Sequence, residues 1–492
     1  MSSPHSIQPE AFPMTYSPSD LTHSYIDGRW TPVTGTQCSP VINPATETPV
    51  AMLHHAGPAD VEAAVAAAKR AHLAEALGSK DNRIALLERI RAGFDSRRED
   101  LAQAISLEMG APIDLSRNAQ AETFLIQLDA TLDALRGFAF AETLPNGDHL
   151  IRQPTGVAGL ITPWNWPIHQ ISLKVFAALA AGCPVVLKPS EHTPLNARIF
   201  AEILDAAGLP PGAFNLINGD GASVGAQLTD HPDVAVMSFT GSTRAGLEIG
   251  ASAVHRGARC ALEMGGKSPC LVFEDADLDQ AMEKILAKTF PNSGQNCNAP
   301  TRILIEASAY PAAKEAAQRA AALWALGDPA QSGDHLGPVA NGRQFDHIQT
   351  LLHGAMAAGA TVLCGGAGRP DGMETGYFVK PTILADVARK AEVVRQEIFG
   401  PVIVLQPFED LDDAIAMAND SEFGLAGYVY SNDPAIQSAV IRQLDCGMVF
   451  VNGADLAPGS PFGGTKKSGI GREGGTYGIE EFLELKLVAH PA

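Results

Sequence analysis

The sequence predicts an α/β fold built on a doubly wound parallel sheet, with a second α/β region downstream and a β-hairpin between the first helices and the sheet. Three observations predict it. From Val157, short apolar runs alternate with helical stretches. The same alternation resumes near Leu271. Between Phe138 and Pro154 a turn signal, Pro145-Asn146-Gly147-Asp148, separates two short runs and reads as a hairpin.

The elements follow in order. Met1 to Asp20 is rich in Ser and Pro and lacks Lys or Arg, which reads as a loose arm rather than a signal peptide. Asp60–Ala74 carries Val61, Val65 and Ala68 on one face of a helix. Asp81–Glu108 is expected as one helix, opening with Ile84, Leu87, Ile90 and Phe94 at helical spacing. Five apolar runs follow the hairpin: Val157–Thr162, Val185–Lys188, Ala213–Ile217, Val234–Phe239 and Arg259–Glu263. The helices between them are expected at Pro167–Gly182, Pro194–Gly208, Gly221–Leu228 and Ser242–Val254. Strands joined by helical crossovers imply a parallel, doubly wound sheet. In the second region come helices Asp277–Lys288, Ala312–Leu326 and Phe345–Gly359, and strands at Thr301–Glu306, Val402–Gln406 and Met448–Asn452. The longest apolar stretch, Val175–Leu187, is broken by Pro184 and falls short of the about 20 residues a membrane helix needs.

Composition narrows the function. The chain has 492 residues, 46% hydrophobic and 18% charged, enough for two or three domains and typical of a globular enzyme. Its formal charge of -20, from 35 basic and 55 acidic residues, argues against nucleic acid as the main partner. Seven cysteines, odd in number and without a C-x-x-C pair, argue against a disulfide framework or a cysteine zinc site and fit a reducing cytoplasm.

Cys297 has distinctive company. Cys183, Cys260 and Cys270 lie in apolar runs and read as small buried hydrophobes. Cys297 sits among Gly294, Gln295, Asn296 and Asn298, a polar turn that leaves a thiol available as a nucleophile. A carboxylate, Glu263, precedes Met264-Gly265-Gly266-Lys267, where two glycines allow a tight turn facing a cleft. A carboxylate near a thiol nucleophile can activate the water that releases a covalent intermediate. The Gly266-Lys267-Ser268 tail mimics a phosphate-binding P-loop, but Ala261 stands where that motif needs glycine. The only G-x-G-x-x-G, at Gly469–Gly474, follows a loop rather than a strand and reads as a chance match. Gly241-Ser242-Thr243 fits a dinucleotide better, because a strand precedes it and a helix N-terminus follows that could hold a pyrophosphate.

Together, Asn292–Asn298, Glu263–Lys267, Pro163-Trp164-Asn165 and Glu397-Ile398-Phe399-Gly400-Pro401 resemble the aldehyde dehydrogenase superfamily across nearly the whole chain. Met264 replaces the family's Leu in the Glu-Leu-Gly-Gly-Lys motif, a swap that conserves volume. The resemblance implies a dinucleotide-binding domain over 20–137 and 155–270, a catalytic domain over 271–481, and an oligomerisation arm over 138–154 and 482–492. It implies Cys297 as nucleophile, Glu263 as general base, Asn165 as oxyanion donor with the Cys297 N–H, and Lys174 as an aid to proton relay. For the cofactor it implies Lys188 and Glu191 on the adenosine ribose, Gly221 and Gly225 beside the adenine, and Ser242 on the pyrophosphate. Glu397 would hold the nicotinamide ribose, with Phe399 and Trp164 also in the cofactor site. The tunnel would be lined by Trp166, Gln170, Leu173, Asn296, Asn298, Leu456 and Phe462, with Arg302 able to approach from elsewhere. NAD is expected over NADP, and a homotetramer or homodimer is expected; no metal, membrane or nucleic acid is called for.

Three rivals differ in what they require. A coenzyme-A-acylating dehydrogenase would release the acyl group to a thiol, and Glu263 argues against it. A non-redox cysteine hydrolase needs no dinucleotide site, so the segments at Lys188 and Ser242 argue against it. A non-catalytic protein on this fold would not need Cys297, Glu263 and Asn165 together.

Overall fold

A computed structural model describes residues 18–489. Most of the expected N-terminal arm, 1–17, and the last residues of the expected C-terminal segment, 490–492, lie outside the described residues.

Two sheets carry the fold. The first runs Arg29–Pro32, His23–Ile26, Phe214–Leu216, Val185–Lys188, Val157–Ile161, Val234–Thr240, Arg259–Glu263 and Gly469–Ile470. Its five central strands are parallel, and the outer ones are antiparallel. Among the parallel strands the chain starts in the middle at Val157–Ile161, moves outward through Val185–Lys188 to Phe214–Leu216, and returns beside its starting strand at Val234–Thr240. A crevice opens where the order reverses, at the carboxyl ends of these strands, and open α/β sheets bind ligands there.

The second sheet runs Thr361–Cys364, Thr382–Ala385, Val402–Phe408, Pro300–Glu306, Ser268–Val272, Ala426–Tyr430 and Met448–Val451. All its neighbours are parallel except the first pair. Only Met264–Lys267 separates Glu263, the end of a first-sheet strand, from Ser268, the start of a second-sheet strand. The cleft between the sheets is therefore crossed by four residues of backbone.

A third sheet pairs Ala141–Thr143 and Leu483–Val488 with opposite edges of His149–Pro154. The hairpin forms at the expected turn, where Gly147 takes φ 91° and Asn146 Nδ2 bonds Asp148 Oδ2 at 2.7 Å. Leu485 and Leu487 remain exposed on this sheet.

The largest core lies under the first sheet. Phe124 stacks on Phe94 at 4.8 Å and meets Phe176 and Phe200 edge-on at 5.2 and 5.5 Å. Burying each such ring contributes about 1.5–3 kcal/mol. The expected helix Asp81–Glu108 is instead two helices, Lys80–Phe94 and Arg98–Met109, broken at Arg97, whose φ of -120° is not helical. The expected helix at Gly221 begins as a turn of π-helix, Gly221–Gly225, before Ala226–Asp230. Among the described residues no helix is long and apolar enough to cross a membrane.

Candidate active site

The cleft is lined by the carboxyl ends of first-sheet strands and the amino ends of second-sheet strands. Cys297 lies three residues before the strand Pro300–Glu306, on a loop that opens with a short 3-10 turn, Pro291–Gly294. Asn292, Ser293 and Gly294 are all left-handed, with φ of 58°, 54° and 74°. Left-handed backbone is strained for residues with a Cβ, and such strain clusters at functional sites. Gly294 must be glycine for a second reason: a methyl group there would lie 2.1 Å from the Gly400 carbonyl. The loop is thus seated on the segment that carries Glu397 and Phe399.

Cys297 is half-buried and packs against the second sheet's core. Burial, with the nearby Glu397 and Glu263 carboxylates, pushes its thiol well above the ordinary range. The expected polar, open turn is therefore more enclosed than its sequence suggests. Gly266 lies against it: a methyl group there would be 2.4 Å from the Cys297 carbonyl. The turn Met264–Lys267 thus follows directly on Glu263 and makes the Gly266 contact to Cys297 three residues later.

Glu263 is buried, and neither carboxylate oxygen meets a protein donor. Its side chain points to a wall of glycines; methyl groups on Gly463 and Gly469 would lie 2.6 and 3.5 Å from Oε1. Burial first, then the negative charge of Glu473, hold its carboxyl well above the ordinary value, while Lys174 and Arg472 oppose them. Lys174 is fully buried on the helix Pro167–Ala181, donating to Ser238 Oγ at 3.0 Å and pairing with Glu473. Lys174 and Glu263 are thus brought together through Glu473, which sequence reasoning missed. Glu473 sits in a glycine-rich turn, and its burial comes from the pairing of Gly469–Ile470 with the strand that ends at Glu263.

Asn165 follows the strand Val157–Ile161 and is buried, its Nδ2 donating to the Gln295 carbonyl at 3.0 Å. That leaves one N–H of the amide unused. Trp164 and Phe399 meet edge-on at 5.5 Å, and Phe399 is itself left-handed, with φ 55°. Glu397 accepts a hydrogen bond from the Gly266 N–H at 2.9 Å. Burial pushes its carboxyl up to about 7, against that bond and the Lys267 charge.

The remaining expected cofactor residues line the same crevice. Lys188 ends its strand with its ammonium 3.3 Å from Glu191 Oε2. Burial raises the Glu191 carboxyl, but the Lys188 charge and hydrogen bonding outweigh it and leave it below the ordinary value. Ser242 caps the helix Thr243–His255, accepting the Ala245 N–H at 3.4 Å, and is exposed on the crevice. Gly221 and Gly225 bracket the π-turn beside it, and a methyl group on Gly225 would touch Lys188 Cδ at 3.6 Å. A dinucleotide fits this donor set: an exposed helix N-terminus for the pyrophosphate, and a cation beside a carboxylate for a ribose.

Of the expected tunnel residues, Trp166, Asn296 and Asn298 meet at the Cys297 loop. Trp166 Nε1 donates to Asn296 Oδ1, and Tyr428 OH fixes the Asn298 carbonyl at 2.8 Å. Gln170 and Leu173 are buried, Phe462 packs against the same core cluster as Cys297, and Leu456 is exposed. Arg302 does not approach the tunnel. Its guanidinium is buried and donates to the Met417 and Ala418 carbonyls at 2.9 and 2.6 Å, capping the helix Leu411–Asn419.

Comparison with known proteins agrees with this geometry. The sequence profile of the aldehyde dehydrogenase family matches residues 30–488. The chain is 45% identical over 470 residues to a 3-succinoylsemialdehyde-pyridine dehydrogenase of a Pseudomonas species, covering 95% of this chain and 98% of that one. It resembles the crystal structure of an aldehyde dehydrogenase of Bartonella henselae with a TM-score of 0.93 at 45% identity, covering 96% and 99% of the two chains. A mutant aldehyde dehydrogenase C of Pseudomonas syringae, complexed with NAD and octanal, matches with a TM-score of 0.93 at 40% identity, covering 98% of each. The chain belongs to the aldehyde dehydrogenase family, which oxidises aldehydes with NAD.

Proposed function

We propose that Cys297 is the nucleophile, Asn165 the oxyanion donor and Glu263 the deacylating base of this NAD-dependent oxidation. The observation that carries this reading is the turn Met264–Lys267, which follows directly on Glu263 and abuts the Cys297 carbonyl at Gly266 three residues later. The Cys297 thiol gives its proton to solvent water, and the sulfur bonds to the aldehyde carbon as the carbonyl π pair moves to oxygen. The free N–H of Asn165 and the Cys297 backbone N–H stabilise that oxyanion. The chemistry that bound NAD supplies is hydride acceptance, which leaves a thioester on Cys297. Glu263 then takes a proton from water, the water oxygen bonds to the acyl carbon, and the C–S bond breaks to return the thiolate. Lys174, paired with Glu473 beside Glu263, offers a proton exit.

Lys188, Glu191, Gly221, Gly225, Ser242, Glu397, Phe399 and Trp164 form the proposed cofactor site. The proposed division is 20–137 with 155–270 for the cofactor, 271–481 for catalysis, and 138–154 with 482–492 as an oligomerisation arm. Exposed Leu485 and Leu487 on an edge strand support a dimer or tetramer, since pairing across subunits covers such an edge. Seven unpaired cysteines support a reducing, cytoplasmic setting.

The substrate is an uncharged aldehyde. Capping by Arg302 removes one arginine that could have clamped a carboxylate; one relative is complexed with octanal, and another is named for a pyridine-bearing semialdehyde. NADH formation with octanal, 3-succinoylsemialdehyde-pyridine and succinic semialdehyde, ranked by kcat/KM with and without coenzyme A, tests this. Preference for succinic semialdehyde, or a requirement for coenzyme A, would overturn it. Cys297→Ser should abolish turnover while retaining NAD binding, and turnover near wild type would remove Cys297 from its role.

A further inference from the structure

Gln120 lies in the only described turn of π-helix that faces the nucleophile loop. The short helix Ile113–Leu115 continues as the π-turn Ser116–Gln120, in which the Ala121 N–H reaches back to the Ser116 carbonyl at 2.9 Å. Such a turn carries one extra residue and re-aims the side chain that follows, and it recurs at functional sites. Here it turns Gln120, fully buried, toward a residue 172 positions later: Gln120 Nε2 donates to Asn292 Oδ1 at 2.9 Å.

Asn292 passes that constraint on. Its Nδ2 donates to the Asn165 backbone carbonyl at 2.7 Å. The Asn165 side chain in turn donates to the Gln295 carbonyl at 3.0 Å, and Gln295 is fixed by donating to the Asn292 carbonyl at 2.8 Å and accepting the Ala340 N–H at 2.8 Å. Turning the Asn292 amide over would set its NH2 against the NH2 of Gln120 and its oxygen against the Asn165 carbonyl. The Gln120 donor and the Asn165 carbonyl together fix which way Asn292 faces, and Asn292 holds the backbone from which the Asn165 amide projects. A purely space-filling residue would be apolar here. Gln120 Oε1 is buried without a protein donor, a cost that methionine would avoid.

We propose that Gln120 is a positioning residue for the Asn165 amide, acting through Asn292 to present the free N–H to the oxyanion. This rests on Asn165 being the oxyanion donor. The test is the stopped-flow NADH burst with the panel aldehyde of highest kcat/KM, measured for Gln120→Met, for Asn165→Ala and for the double variant. Gln120→Met keeps the volume and removes the donor, so the burst rate should fall about tenfold. NAD affinity and the KM for aldehyde should stay near wild type. In the Asn165→Ala background the same substitution should change the burst rate less than about twofold, because coupled residues are not additive. Gln120→Leu, which likewise offers Asn292 Oδ1 no donor, should slow the burst as much, and it carries the test if Gln120→Met does not fold. A wild-type burst in either folded variant, or an equal loss with and without Asn165, would overturn the proposal. A wild-type burst in Asn165→Ala would instead overturn the oxyanion assignment on which it stands.

Discussion

Gly265→Ala separates cofactor binding from thiol chemistry with a single methyl group. The new Cβ would lie 2.3 Å from Glu397 Oε2, 2.9 Å from its Cδ and 3.1 Å from Oε1. Ordinary contact begins near 3.4 Å, so the carboxylate must retreat by about 1 Å. Its bond from the Gly266 N–H, now 2.9 Å, does not survive such a shift. A hydrogen bond to a charged group contributes about 1.5–3 kcal/mol, so misplacing Glu397 should weaken NAD binding by roughly 10- to 150-fold. Gly266 loses that bond but keeps its approach to the Cys297 carbonyl, so the Cys297 loop stays in place. Titration of intrinsic fluorescence with NAD measures the affinity, and iodoacetamide labelling of Cys297 reports the thiol. An NAD affinity within about twofold of wild type in a folded protein would refute the seating of Glu397 argued here, and a comparable loss of labelling would show that the methyl group disturbs the whole turn.

Glu263→Gln should release one equivalent of NADH per active site and then stall, because only deacylation needs the base; loss of the burst in a folded variant would place Glu263 earlier in the reaction. Glu473→Gln removes a negative charge that raises the Glu263 carboxyl and frees Lys174, which lowers it. The base works when deprotonated, so the acid limb of the deacylation rate should move to lower pH, and an upward shift or none would contradict the pairing. NAD should be preferred to NADP by roughly 5- to 150-fold in kcat/KM, because Glu191 repels a 2′-phosphate while Lys188 partly offsets it. Equal efficiency with the two cofactors would show that Glu191 does not read the ribose.

The parts legible in the sequence are those whose signal is local. Cys297 stood out by its polar neighbours, Glu263 by the two glycines after it, and Ser242 by lying between a strand and a helix. Groups that reach the site from distant segments gave no such signal. Glu473 lies within the Gly469–Gly474 pattern that reads as a chance match, and the pairing of Gly469–Ile470 with Leu262–Glu263 and of Glu473 with Phe462 buries it beside Glu263. Gln120 carries no signal in the sequence, and only the π-turn aims it at Asn292. Arg302 could only be placed by seeing the helix end that consumes its donors. The missed break at Arg97 has a different cause. Phe94 and Leu101 are seven residues apart, so the apolar spacing keeps its phase across the interruption.

The pairing of Gly469–Ile470 with the strand Arg259–Glu263 also sets the order in which this enzyme becomes whole during synthesis. The parallel strands between Val157 and Glu263 emerge from the ribosome about two hundred residues before the segment that seals their edge. Until then one edge of a large sheet is open to pairing with other chains. The Lys174 ammonium meanwhile lacks its carboxylate partner, since Glu473 arrives with the same segment. Leu483–Val488 follows within a few residues and closes the edge of His149–Pro154. The last tenth of the chain thus acts as a late clasp on structure made early, and a ribosome stalled near residue 460 would hold a chain in which Cys297 and Glu263 have been made but Glu473 has not.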